Sequence, residues 1–220
     1  VRAALPPAVR AAGKVHLFRV QQFKPPEFRG DRVAPGDRPT VVRVRDEGQH
    51  RGSVLTVKRP SGDSEFERED EVALADAPDS FARGVAALSA LGIEPAYYAE
   101  KLREIFVVPD PEGPVEIVFD SYPGLPPFAE VEGPSAAAVD RVAAQFQLGP
   151  PGYAGAGFTY LELYGIPTAR PLTDLDFASA ATVMGPLISR GRPDFDARLA
   201  AQRIVVDAIG GARPAPPAKD

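Results

Sequence analysis

VEIVFDSYPGLPPFAEVEG, residues 115–133, sets two short alternating runs on either side of a Pro-Gly pair. Read as strands, VEIVFD puts Glu116 and Asp120 on one face and Ile117 and Phe119 on the other. FAEVEG likewise separates Glu130 and Glu132 from Ala129 and Val131, because successive strand side chains point to opposite faces. Pro123-Gly124 supplies the turn between them. One charged face and one apolar face on each run is the pattern of an antiparallel sheet.

The alternation recurs upstream. Arg43 and Arg45 flank Val44 in TVVRVRDEG (40–48), and Thr56 and Lys58 flank Val57 in SVLTVKRP (53–60). Glu69 and Glu71 flank Asp70 in FEREDEVALAD (66–76). Lys101 and Arg103 flank Leu102 in AYYAEKLREIFVV (96–108), where the charged stretch suits a helix and the Ile-Phe-Val-Val end a strand. VHLFRVQQF (15–23) reads as a further strand, and KPPEFRGDRVAPGDRP (24–39) as a loop.

Helices are expected at DSFARGVAALSALG (79–92), where Phe81, Val85, Leu88 and Leu91 share a face and Gly92 ends the run, and at SAAAVDRVAAQFQLG (135–149), capped by Ser135. TDLDFASAATVMG (173–185) and DFDARLAAQRIVVDAIG (194–210) are two more, and VRAALPPAVRAAG (1–13) a short one interrupted by Pro6 and Pro7. PGYAGAGF (151–158) reads as a glycine-rich loop and ARPAPPAKD (212–220) as a disordered tail.

The composition, 44% hydrophobic and 25% charged over 220 residues, is that of an ordinary globular chain with room for a sizeable core. Cysteine is absent, which excludes disulfides, thiolate zinc sites and cysteine nucleophiles. A net charge of −5 gives no general attraction to nucleic acid. No apolar run approaches the roughly 18 residues of a membrane span, and no leader is visible, so the expected location is cytoplasmic. The sequence begins at Val1 and its one methionine is Met184, so it reads as a fragment, a processed product or a chain whose start was assigned late.

Basic and acidic pairs sit on separate strands, and two geometries accommodate this. One is a sheet with a single wet face. The other is a closed or nearly closed antiparallel barrel with a polar lumen and helices outside, in an α+β fold. Charges inside such a lumen must be paired or bind something. A polyphosphate carrying a divalent metal meets that need. Arg43, Arg45, Lys58, Lys101 and Arg103 are then the phosphate ligands. Glu69, Glu71, Asp120, Glu130 and Glu132 offer the oxygen donors that Mg²⁺ or Mn²⁺ prefers.

The ordered set VRVR (42–45), LTVK (55–58), EDE (69–71), ALSALG (87–92), KLR (101–103) and DSYPGLPPFAEVEG (120–133) resembles the CYTH family, the triphosphate tunnel fold of class IV adenylate cyclases and thiamine triphosphatases. FTYLELYG (158–165) is similar to a later segment, and the likeness spans roughly residues 15–165. It implies an eight-stranded antiparallel tunnel, a divalent cation and a triphosphate substrate. Basic residues would hold phosphate and acidic residues metal. The implied reaction is hydrolysis of the terminal phosphoryl bond of a nucleotide, thiamine or inorganic triphosphate. The alternatives are cyclisation of ATP to cAMP and pyrophosphate, or binding without catalysis.

Three departures stand out. The family's opening ExExK strand, which carries its catalytic lysine, has no counterpart, so no catalytic residue is named. Glu67 stands where the family has an arginine, and GLG becomes Gly124-Leu125-Pro126. The organisation expected is a tunnel domain over 1–166, a helical extension over 167–211 and a tail over 212–220, with a homodimer as one possible assembly. His16 falls in a strand and His50 in a turn, so both read as structural or solvated. The 151–158 loop lacks the Gly-Lys-Ser of a phosphate loop. Tyr97 and Tyr98 read as core residues before they read as a stacking site.

Overall fold

The computed structural model describes residues 5, 13–24, 40–48, 52–60, 67–148, 156–167 and 174–209. The expected N-terminal helix (apart from Leu5 and Gly13), most of the 24–39 loop, the turn at His50 and the C-terminal tail lie outside them. The strands are β1 (Lys14–Phe23), β2 (Val41–Asp46), β3 (Ser53–Pro60), β4 (Glu67–Ala73), β5 (Pro95–Val108), β6 (Val115–Ser121), β7 (Phe128–Glu132) and β8 (Asp174–Leu175). The helices are α1 (Ser80–Ala90), α2 (Ala136–Gln145), α3 (Ala156–Tyr164), α4 (Ala180–Met184) and α5 (Arg192–Ile209). The fold is α+β. Its sheet runs in the order β4-β3-β2-β1-β5-β6-β7, with β8 beside β5. The pairings β1–β2, β2–β3, β3–β4, β5–β6 and β6–β7 are all antiparallel.

The chain forms two compact units, one of Phe18–Glu100 with 210–220 and one of Val1–Leu17 with Lys101–Ile209. In the first, α1 lays Phe81, Val85 and Leu88 on Phe23, Val42, Val44 and Tyr98, with Leu55 and Val57 at the margin. These strand residues alternate with Arg43, Arg45, Thr56 and Lys58, so the apolar half of each strand faces the helix. Tyr98 meets Phe81 edge-on with centroids 6.4 Å apart. Its hydroxyl donates to Glu100 at 2.9 Å, the core role expected of it.

In the second unit α2 does the same for β5–β7. Ala138, Val142 and Phe146 pack with Phe106, Val108, Val115, Ile117 and Phe119. Ser135 caps α2 by accepting the Ala138 amide at 3.1 Å. The segment 96–108, ambiguous in sequence, lies within the long strand β5. Its partner settles the matter, since β5 residues from Leu102 to Val108 pair in register with β6.

Two expectations change. The 173–185 segment is not one helix: β8 and a turn precede α4. Asp176 accepts the Ser179 amide at 2.7 Å and also holds its hydroxyl, which ties that turn. The end of the 151–158 loop, from Ala156, is already the first turn of α3. Tyr160 and Tyr164 on α3 are fully buried, and their hydroxyls donate to the carbonyls of Pro123 at 2.7 Å and Gly124 at 2.5 Å. From α5, Gln202 accepts the Gly124 amide at 2.7 Å and donates to the carbonyls of Tyr122 and Leu125, each at 3.0 Å. The turn between β6 and β7 is therefore gripped by two helices.

Candidate functional site

Antiparallel register decides which charged side chains meet. In the first unit Arg43 stands opposite Thr56, Thr56 opposite Glu71, and Lys58 opposite Glu69. Arg43, Arg45, Lys58, Glu69 and Glu71 thus share the sheet face turned away from α1. Lys58 pairs with Glu69, and Arg43 approaches the same carboxylate at 3.7 Å. Arg45 donates to Glu71 at 3.0 Å and pairs with Glu47 at 2.5 Å. Thr56, fully buried, donates to Glu71 at 3.2 Å. The buried Nε of Arg45 has no acceptor among the described residues. Burial by itself would raise the Glu69 carboxyl. The Lys58 hydrogen bond and the charges of Lys58, Arg43 and Arg45 outweigh it and hold the group below its ordinary value.

In the second unit Arg103 stands opposite Asp120, and Asp120 opposite Phe128. The guanidinium grips Asp120 with Nε and Nη2, each at 2.7 Å. It also reaches Glu130 at 3.1 Å and Glu132 at 3.0 Å. Lys101 donates to Asp120 at 2.5 Å. Burial pushes the Lys101 ammonium down, ahead of the Asp120 charge that favours it. Burial works against both charged partners of the Arg103–Asp120 pair. Their mutual hydrogen bonds prevail, leaving Arg103 above and Asp120 below their ordinary values. Glu130 is raised, by partial burial and by the Asp120 charge beside it.

The ten expected residues therefore fall into two sets of five, each on the polar face of its own unit. In both sets the cations lie deeper than most of their carboxylate partners. Side-chain exposure is 9% for Arg103 and 15% for Arg45, against 48% for Glu132 and 40% for Glu71. Asp120, at 1%, and Glu47, at 10%, are the buried exceptions.

No protein-family model and no curated protein matches the chain. Solved structures do. The PH1819 protein of Pyrococcus horikoshii is 21% identical with a TM-score of 0.47, over 63% of this chain and 80% of that one. A conserved hypothetical protein of Pyrococcus furiosus is 18% identical with a TM-score of 0.44, over 62% and 76%. A candidate adenylate cyclase of Bacillus halodurans is 13% identical with a TM-score of 0.41, over 70% and 84%. Likenesses at this level assign no residue role and no activity to the present chain.

The fit to Mg²⁺ or Mn²⁺ divides. The donor chemistry suits a hard cation, since Glu130 and Glu132 are carboxylates at alternate positions of one strand. The grouping does not: among the described residues no three His, Asp or Glu side chains stand together as a metal site. Arg103 holds Asp120, Glu130 and Glu132, and the basic residues of the first unit hold Glu69 and Glu71. As arranged, these carboxylates are partners of cationic side chains and not a ready metal cage.

Sequence reasoning named Thr56 without giving it a role, and passed over Glu47, Tyr122 and Phe128. Thr56 and Phe128 were within its reach, because each shares strand parity with a charge already singled out. Glu47 lies just beyond β2 and Tyr122 just beyond β6, where alternation is no guide. No helix among the described residues is long and apolar enough to cross a membrane.

Proposed function

We propose that the protein binds a triphosphate-containing small molecule and hydrolyses its terminal phosphoryl bond. One observation carries the reading: Arg45 and Arg103 are largely buried on the polar faces while Glu71, Glu130 and Glu132, which they hold, remain accessible. On a merely wet face long cationic side chains extend their charged ends to water. Here water-side carboxylates occupy guanidinium donors, and phosphate oxygens have the same charge and the same preference for a bidentate fork. Glu71, Glu130 and Glu132 can swing outward as the anion takes their place. The Arg45 Nε offers a further donor. The ordered motifs shared with CYTH proteins support the same ligand class.

A divalent ion would arrive as part of the metal–triphosphate complex. Within one unit, either Arg43, Arg45 and Lys58 or Lys101 and Arg103 would then stabilise charge on the phosphoryl oxygens. Among the described residues no three carboxylates are placed to hold a metal ion together, which favours a second reading, binding without turnover. Incubation with ATP, thiamine triphosphate or inorganic triphosphate, with Mg²⁺ or Mn²⁺, separates them. Orthophosphate release supports hydrolysis. Pyrophosphate with cyclic nucleotide would make the protein a cyclase. Retention in equilibrium dialysis without product leaves a binding protein, and neither retention nor product refutes the proposal.

A further inference from the structure

The polar face of the second unit ends in two aromatic rings. Phe128 faces Asp120 across the β6–β7 pairing and shares the parity of Glu130 and Glu132. Tyr122 directly follows β6, and its ring stacks on that of Phe128. The two rings lie almost parallel, 12° apart with centroids separated by 6.0 Å. The Lys101 ammonium sits 6.0 Å from the Tyr122 centroid and bonds Asp120 at 2.5 Å. An aromatic pair thus adjoins the proposed phosphate-binding cations.

Both rings are half-buried, so neither belongs to the apolar cluster under α2. Their backbone is held from behind. Gln202 accepts from Gly124 and donates to Tyr122 and Leu125, and Tyr160 and Tyr164 grip Pro123 and Gly124. A ring pair fixed in orientation on a rigid turn is suited to stacking, which costs little ordering of the protein.

We infer that Tyr122 and Phe128 form a stacking platform for a flat aromatic ring carried by the triphosphate. The ligand class is therefore an aromatic triphosphate ester, such as a nucleoside triphosphate, in preference to inorganic triphosphate. The inference rests on the triphosphate reading above and adds the part of the ligand that the cations do not recognise. Stacking one base on an aromatic side chain strengthens binding on the order of tenfold to a hundredfold.

The test is a calorimetric titration of the full chain with ATP, methyl triphosphate and inorganic triphosphate, each with Mg²⁺. The platform predicts that ATP binds at least about tenfold more tightly than the two ligands without a ring. Phe128→Leu, which keeps apolar volume but removes the ring, should bring that ratio close to one. Tyr122→Phe, which keeps both rings, should preserve it. Equal affinities for all three ligands, or a preference for ATP that survives Phe128→Leu in a folded variant, overturns the platform and leaves the triphosphate reading standing. Absence of binding by all three, inorganic triphosphate included, overturns both. Should Phe128→Leu fail to fold, Tyr122→Leu read in the same way decides.

Discussion

Asp120 joins folding to the proposed chemistry. It is almost wholly buried and accepts two bonds from Arg103 and one from Lys101. Removing its charge strands two cations in a poorly solvated place, so Asp120→Asn should cost about 3–5 kcal/mol at neutral pH in urea unfolding. The native carboxyl lies below the unfolded value of about 4. The stabilisation is therefore complete above about pH 4 and disappears as pH falls through the lower native value, because the unfolded chain binds the proton first. Unfolding curves should show the gap between wild type and Asp120→Asn closing on acidification. A constant gap would contradict the assignment. Glu132→Gln, which breaks a pair with one exposed partner, should cost no more than about 1 kcal/mol.

Elements translate these residues into a face. Five strands of alternating charge were legible because period-two patterning survives any tertiary context, and Arg43, Lys58, Glu69, Asp120 and Glu132 could be given a side from sequence alone. The 96–108 segment was not legible, since Glu100, Lys101, Arg103 and Glu104 are good helix formers and only the place of β5 between β1 and β6 makes them strand. Nor was the break in 173–185, where Asp176 and Ser179 close a turn inside an apolar periodicity. The β6–β7 turn shows the limit differently. Gly124 has φ +77°, and a Cβ there would lie 2.3 Å from the Phe195 ring, a long-range contact no local pattern encodes. Gly124→Ala should cost about 2–4 kcal/mol, from left-handed backbone strain and overpacking together. Adding Phe195→Leu should recover part of the loss in thermal melts. Ser135→Ala, which removes the α2 cap, should cost about 1 kcal/mol.

In each unit the apolar half of the sheet is spent on a helix and the polar half on ion pairs, among which Arg45 lies deeper than Glu71 and Arg103 deeper than Glu130 and Glu132. That arrangement holds anions by exchange. An incoming triphosphate competes with carboxylates already in place, so affinity should fall with added salt and with loss of any deep cation. Binding stabilises the folded chain, by about 2.7 kcal/mol when ligand is a hundredfold above its dissociation constant. The most direct measurement is a calorimetric titration of inorganic triphosphate with Mg²⁺ into wild type, Lys101→Met and Arg103→Met. Saturable binding to wild type, weakened at least about tenfold in each folded variant, is the predicted result. No saturable binding to wild type, or equal binding by all three proteins, would contradict the account.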